Sequence, residues 1–172
     1  MHRTTYTATL ASLVMCVTVA IAANTNTATV KGPDFEALKK MAGEWQLDDP
    51  KGQMNGTVRY QVTSAGTAVV ETMAPGTPHE MVTVYTREGH NVAATHYCGM
   101  GNQPHLMSKP AAAANQLYLD FVSGGNMKSV KEPHMHSLTL TFVDDNHVKQ
   151  EWQSYANGKP GDTTVFNLTR KS

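Results

Sequence analysis

The sequence predicts an all-β protein: an antiparallel up-and-down β-barrel of nine or ten strands, preceded by one short N-terminal helix. Two observations lead to this fold class. Beyond residue 43, apolar and polar residues alternate with a period of two, as along strands that bury one face. Segments rich in Gly, Pro, Asn, Asp and Ser interrupt this alternation about every 8–12 residues, a spacing typical of all-β domains. We expect a meander of this length to close into a barrel, because closure removes exposed strand edges.

Residues 1–23 have the pattern of an export signal. Arg3 precedes an apolar run over residues 9–22, which ends in the small-x-small sequence Ala20-Ile21-Ala22. This pattern predicts a signal peptide over residues 1–23, and export to the periplasm or the extracellular space. The run is short for a transmembrane helix, so no stable membrane span is expected after cleavage. An uncleaved anchor and a lipoprotein modified at Cys16 are the alternatives.

Residues 24–32 are predicted to form a linker, and residues 33–172 a single barrel domain. The domain begins with a helix over residues 33–42. Pro33 suits the first helical turn, and Phe35, Leu38 and Met41 form a narrow apolar stripe. Gly43 is placed to end the helix, because glycine tolerates the positive φ that such ends often require.

The strands follow in order, each bounded by a turn signal. Tight connections such as Glu88-Gly89-His90 and Asn157-Gly158 predict antiparallel hairpins. The segment over 105–112 has the weakest alternation, which leaves the strand number at nine or ten. The predicted strands cover residues 45–47, 58–62, 68–73, 81–87, 91–98, 105–112, 116–122, 134–142, 148–155 and 163–170.

The charge balance argues against one class of partner. The chain has 14 Lys and Arg against 14 Asp and Glu, which gives a formal net charge of zero. A nucleic-acid-binding protein usually concentrates positive charge to neutralise phosphates. We therefore expect no nucleic-acid partner.

Gly43-Glu44-Trp45, directly after the predicted helix, resembles the Gly-x-Trp signature of lipocalin-like (calycin-type) barrels. In that family the Trp closes one barrel end and a basic residue from the last strand packs over it, a role that the resemblance assigns to Arg170. The stretches VETMAPGTPHEMVTVY and THYCGMGNQP and the later HMH also look like a group of small exported bacterial proteins without established function. The resemblance implies a fold and a compartment, and the calycin group includes carriers of small apolar molecules and haem-binding barrels.

Strand parity predicts which polar residues point into the barrel, because alternate side chains share a face. In segments 91–98, 134–142 and 148–154, polar residues share a face with apolar neighbours. Glu71 lies in an apolar strand, but its face is not assigned. The inward polar set is His96, His134, His136 and Gln150, with Cys98 beside them. The expected apolar wall comprises Leu117, Leu119, Phe121, Leu138, Leu140, Phe142, Trp152, Phe166 and Leu168.

One interpretation of these inward histidines is a metal site. His134 and His136 at i and i+2 stand roughly 6.5–7 Å apart on one strand face, and His96 or Cys98 would add a third ligand. Two solvated histidines at a barrel rim, or histidines that hydrogen-bond an organic ligand, are the alternatives. A copper(I) site is a further interpretation, since thioether, thiolate and imidazole groups favour that ion. Its candidate ligands are Cys98, Met100, His105, Met107, Met127, His134, Met135 and His136.

Haem is another candidate cofactor, with His96 as axial ligand and no CxxCH for covalent attachment. No Gly-x-Ser-x-Gly or phosphate-binding loop indicates an enzyme, so a binding protein is favoured over an enzyme of unknown type. A purely structural envelope protein remains an alternative if side chains fill the barrel. The sequence therefore predicts an exported barrel that binds a small apolar or amphipathic molecule, with a transition metal or haem as the alternative. The predicted ligand-binding residues are His96, Cys98, His134, His136, Gln150 and Trp152.

Overall fold

The computed structural model describes Met1, residues 33–52 and residues 54–172. The predicted signal peptide and linker therefore lie outside the described residues, apart from Met1. The domain has one short α-helix, ten β-strands and a 3₁₀ turn at Ser64–Gly66. Its elements are α1 (Phe35–Lys40), β1 (Gly43–Asp48), β2 (Asn55–Thr63), β3 (Ala68–Met73), β4 (Met81–Glu88), β5 (Asn91–Tyr97), β6 (Gln103–Lys109), β7 (Gln116–Gly125), β8 (His134–Asp144), β9 (His147–Ala156) and β10 (Lys159–Arg170).

The ten strands form a closed antiparallel barrel, which confirms the predicted fold class. Each strand pairs with the next along the chain, and β1 pairs with both β2 and β10 to close the sheet. Hairpin connections make this order the simplest one, because antiparallel neighbours need only short turns. The weak segment near residue 105 is the strand β6, so the count is ten rather than nine.

The helix is shorter than the predicted 33–42. Asp34 has an extended backbone and is the N-cap, where its Oδ1 accepts a hydrogen bond of 3.0 Å from the Glu36 amide. Gly43, already in β1, has a φ of +127°, and a Cβ there would lie 3.3 Å from the Arg170 guanidinium. Both features limit α1 to Phe35–Lys40, since the backbone is extended before it and turns sharply after it.

The barrel end next to α1, here called the helix end, is sealed. The Arg170 guanidinium carbon lies 4.2 Å from the centre of the Trp45 ring, and Trp45 and Arg170 are register partners. Phe35 and Leu38 are buried in the same core as Trp45. The closure of this end by Trp45 and Arg170, expected from the resemblance, is confirmed.

The opposite end, here called the far end, is where β1, β3, β5, β7 and β9 finish and the even-numbered strands begin. Between the two ends, leucines and a few buried polar side chains fill the barrel interior. Leu106, Leu119, Leu138 and Leu140 are all fully buried. Most of the predicted apolar wall is therefore packed core, so any cavity must lie towards an end. Among the described residues, no helix combines the length and apolarity needed to cross a bilayer.

Candidate functional site

A cavity of about 190 Å³ lies at the far end of the barrel. Its wall combines four methionines, two aromatic side chains and one histidine with a threonine and an aspartate. The lining residues are Asp49, Met54, Met73, Met81, His96, Met135, Trp152, Thr164 and Phe166. Only Trp152 and Phe166 of the predicted apolar wall contribute to it. The sulfur-rich lining distinguishes this space from the leucine-packed centre of the barrel.

Neighbouring strand ends bring the methionines together. Met73 ends β3 and Met81 begins β4, and the two are register partners in the antiparallel ladder. Register partners share a face of the sheet, so both side chains reach the same cavity. Met54 precedes β2, and the loop before it is held by Asp49, whose carboxylate accepts hydrogen bonds from the amides of Lys51 (2.8 Å) and Met54 (3.2 Å).

His96 is the nitrogen donor of the cavity, and 3% of its surface is exposed. Its Nδ1 lies 2.9 Å from Thr83 Oγ1, and its ring centre lies 4.6 Å from that of Trp152. Its Nε2 has no hydrogen-bond partner in the described parts of the chain. Burial lowers the pKa of His96 from 6.5 to about 4, because the charged imidazolium loses its hydration. The ring is therefore neutral near pH 7, with one nitrogen left for a ligand.

A buried polar cluster lies behind the cavity wall. Tyr85 donates a hydrogen bond of 2.6 Å to Glu71 Oε2. Gln150 Nε2 donates to Tyr60 Oη (2.5 Å) and to Glu71 Oε1 (3.1 Å). Trp152 Nε1 donates to Gln150 Oε1 at 3.2 Å. Since an indole N–H can only donate, it requires the amide oxygen of Gln150 on its side and the amide nitrogen towards Glu71.

Burial dominates the titration of this cluster. It raises the pKa of Glu71, although hydrogen bonds from Tyr85, Gln150 and Tyr60 oppose the shift. The pKa values of Tyr60 and Tyr85 are also raised, first by burial and then by the nearby Glu71 carboxyl. Neither phenol ionises near neutral pH, so both keep their protons as donors.

The cluster continues to His96 through Thr83. Thr83 also lies near Tyr85, where it opposes the rise in the pKa of that phenol, and Tyr85 donates to Glu71. With Thr83 Oγ1 as the acceptor, the proton of neutral His96 lies on Nδ1. This direction places the lone pair on His96 Nε2, because a neutral imidazole carries only one N–H. Thr83 is therefore the side chain placed to fix the tautomer of the cavity histidine.

His134 and His136 lie elsewhere in the far end. His134 Nε2 is 3.0 Å from His136 Nδ1, and His134 Nδ1 is 2.7 Å from the Glu132 carbonyl oxygen. His136 stacks on Tyr155 at 4.2 Å between ring centres. The structure thus brings these two histidines together with each other, while His96 belongs to the cavity.

A β-bulge explains why strand parity misplaced this pair. The register of β8 against β9 shifts between Met135 and Ser137. His134 pairs with Tyr155, whereas Met135 pairs with Ser154 and lines the cavity. An extra residue in one strand resets the alternation, so His134 is out of phase with Leu138 further along the same strand. The inward prediction for His134 and His136 rested on unbroken parity and needs this correction.

The residues that the structure describes contain no group of three His, Cys, Asp or Glu side chains arranged to hold a metal ion. The predicted triad of His96, His134 and His136 is therefore not assembled. Cys98, just beyond β5, is half-buried and free, and burial raises the pKa of its thiol. Of the residues proposed for copper(I), Met135 lines the cavity, while Met100 is exposed.

Sequence reasoning placed His96, Gln150 and Trp152 on inward faces, and the structure puts all three inside. It missed Tyr60, Tyr85 and three cavity methionines, and left Glu71 without an assigned face. For Glu71 a signal was available, since it shares the parity of Val69 and Met73, which are both buried. No comparable signal linked the methionines, which converge from separate segments: Met54, Met73, Met81 and Met135.

Comparison of the chain with models of known protein families gives no match, and neither does comparison with curated protein sequences.

Proposed function

We propose that this protein is an exported, lipocalin-like binding protein that holds a small ligand in the far-end cavity, with His96 Nε2 contacting the ligand. One observation carries the proposal: among the residues that the structure describes, His96 Nε2 has no hydrogen-bond partner, and its cavity is otherwise lined mainly by Met and aromatic side chains. Small-molecule sites typically combine apolar walls with a few oriented polar groups.

The size of the cavity limits the ligand. Its volume of about 190 Å³ lies below the roughly 300–1,000 Å³ of sites for drug-sized ligands. It suits a ligand of a few atoms, or the narrow end of a longer one, rather than an enclosed haem. The neutral state of His96 supports a contact through an uncharged imidazole.

The test is native mass spectrometry of the chain purified from its own host, compared with denaturing mass spectrometry and metal analysis. We expect one non-covalent ligand per chain. Thr164→Phe, which fills part of the cavity, should remove the ligand. Thr169→Phe, on the exposed face of the same strand, should retain it. A chain without ligand, or a ligand retained by Thr164→Phe, would contradict the proposal.

A further inference from the structure

We propose that the ligand of the far-end cavity is a soft monovalent metal ion, Cu(I), held by His96 Nε2 and thioether sulfurs of the lining methionines. This inference rests on the proposed function, because it requires that the cavity is the binding site. It names a different donor set from the metal triad that the sequence predicted.

The first argument is the chemistry of the wall. Four of the nine lining residues are methionines, and one is a histidine whose Nε2 has no hydrogen-bond partner within residues 33–52 and 54–172. Thioether and imidazole groups are ligands that favour Cu(I). Hard cations such as Ca²⁺ and Mg²⁺ require several oxygen ligands. The one carboxylate on the wall, Asp49, accepts hydrogen bonds from two backbone amides and holds the loop before Met54.

The second argument is the orientation of His96. Metal-binding histidines commonly donate their second ring N–H to a fixed partner, which sets the tautomer and directs the lone pair to the metal. His96 has such a partner in Thr83, whose Oγ1 lies 2.9 Å from Nδ1. Trp152 directs its N–H away from the cavity to Gln150, so the indole faces the cavity without its donor.

The third argument is the contrast with the rest of the interior. The apolar side chains of the barrel centre are mainly leucines, whose rotamers are well defined, whereas the cavity lining has four methionines and no leucine. Methionine is unbranched and flexible, so thioethers on adjacent strands can converge on one ion without backbone movement. Met73 and Met81, as register partners, form the central pair of this donor set.

The experiment uses the full chain with Cys16 and Cys98 both replaced by Ser, which removes thiolate binding. The probes are Ag(I), as a redox-inert analogue, and Cu(I) kept reduced and presented from a competing chelator. We expect one ion per chain by native mass spectrometry. In NMR spectra, the methyl signals of Met73, Met81 and Met135 should shift, together with the ring nitrogens of His96.

Matched variants locate the site. Met73→Leu/Met135→Leu conserves volume and should weaken Cu(I) binding by at least about tenfold, as loss of a metal-binding interaction typically does. Met100→Leu/Met107→Leu, outside the cavity lining, should leave the affinity unchanged. His96→Asn should likewise weaken binding by at least about tenfold.

Thr83 is a positioning residue in this scheme, and it has its own test. Thr83→Val keeps the shape but removes the hydroxyl that accepts from His96, so we expect about 10–100-fold weaker Cu(I) binding. Thr83→Ser should restore the affinity. If Thr83 had only a structural role, Thr83→Val and Thr83→Ser should have the same Cu(I) affinity, since both preserve the fold around the site.

The outcomes distinguish the two proposals. Absence of one-to-one binding of Ag(I) and Cu(I), or loss of binding in the Met100/Met107 control only, overturns the metal assignment. An organic ligand in the chain from its own host, displaced by Thr164→Phe, would then leave the proposed function standing. If neither ion nor organic ligand binds, both proposals fail.

Discussion

The two buried tryptophans lie towards opposite ends of the barrel, and their indole N–H groups have different hydrogen-bond partners. Trp45 Nε1 donates to the Met41 carbonyl oxygen at 2.8 Å, which joins the end of the helix to the first strand. Trp152 Nε1 donates to Gln150 and so faces a polar cluster instead. Each indole satisfies its donor, as buried polar groups must. The same residue type thus seals the helix end and forms a cavity wall at the far end.

Trp45→Ala should strongly destabilise the domain, because 1% of this side chain is exposed and Arg170 packs on its ring. We expect a loss of about 3–5 kcal/mol in the free energy of unfolding, the usual cost of truncating a buried Trp or Phe. Urea denaturation followed by circular dichroism measures it. Tyr97→Ala, at a residue with half its surface exposed, is the control and should stay within about 0.5 kcal/mol.

His96 should make stability depend on pH in acid. Its pKa is about 4 in the folded chain against an ordinary value of 6.5, so the unfolded chain binds more protons between these values. The free energy of unfolding should therefore fall as the pH drops from about 6.5 to 4, by about 3 kcal/mol at most. Above pH 6.5 this contribution is fully present.

The raised pKa of Glu71 has the opposite effect, because it favours the folded chain as the pH falls. The effect of His96 is therefore measured as the difference between the native sequence and a His96 variant. Urea denaturation across this pH range should show a steeper decline for the native sequence than for His96→Asn, which cannot titrate. Equal slopes for the two proteins would mean that the pKa of His96 does not change on folding, against the expected decrease.

At the level of elements, one side chain joins three parts of the structure. Arg170, at the end of β10, donates to the carbonyl oxygens of Lys40 (2.8 Å), Ala42 (3.0 Å) and Asp145 (3.1 Å). Two of these carbonyls lie at the C-terminal end of α1, where helical carbonyls lack partners. A helix of six residues is too short to be stable alone, so these tertiary contacts hold it in place.

Arg170→Lys should destabilise the contacts between Arg170 and the end of α1, although the substitution conserves the positive charge. A lysine has a single ammonium group and cannot reproduce the planar fork that reaches three carbonyl oxygens. We expect a loss of about 1–2 kcal/mol, and faster hydrogen exchange at the amides of Met41 and Ala42. Arg59→Lys, at an exposed ion pair with Glu44, is the control. Unchanged exchange in α1 would show that Arg170 does not restrain the helix.

At the level of the whole molecule, the closed sheet leaves two ends with different properties. The helix end is capped by α1, Trp45 and Arg170, and the centre is filled by leucines together with the polar cluster around Glu71. The far end is where the interior widens into the methionine-lined cavity. A barrel closed in this way has no free strand edges.

Export remains a prediction about the chain as a whole. We expect the mature N-terminus within a few residues of Ala23, because the small-x-small site ends there. N-terminal sequencing of the exported protein tests it. Retention of Met1 would contradict the signal peptide, and a modified Cys16 at the N-terminus would establish a lipoprotein.

The sequence alone was sufficient for the fold class and for the closed helix end. Period-two alternation and turn residues are local properties, so the strands could be predicted without knowledge of their neighbours. The order of the strands followed from short antiparallel connections, and the contact of Trp45 with Arg170 from the Gly-x-Trp resemblance.

Only the tertiary structure decided the site. Parity shows which face a residue occupies but not its height along the barrel, which depends on the stagger between strands. The convergence of Met54, Met73, Met81 and Met135 therefore left no local signal. The bulge between Met135 and Ser137 reversed the phase of the alternation, which moved Met135 into the cavity and left His134 paired with Tyr155 instead. One inserted residue thus changed which side chain of β8 reaches the cavity, because side-chain direction in a strand alternates at every residue.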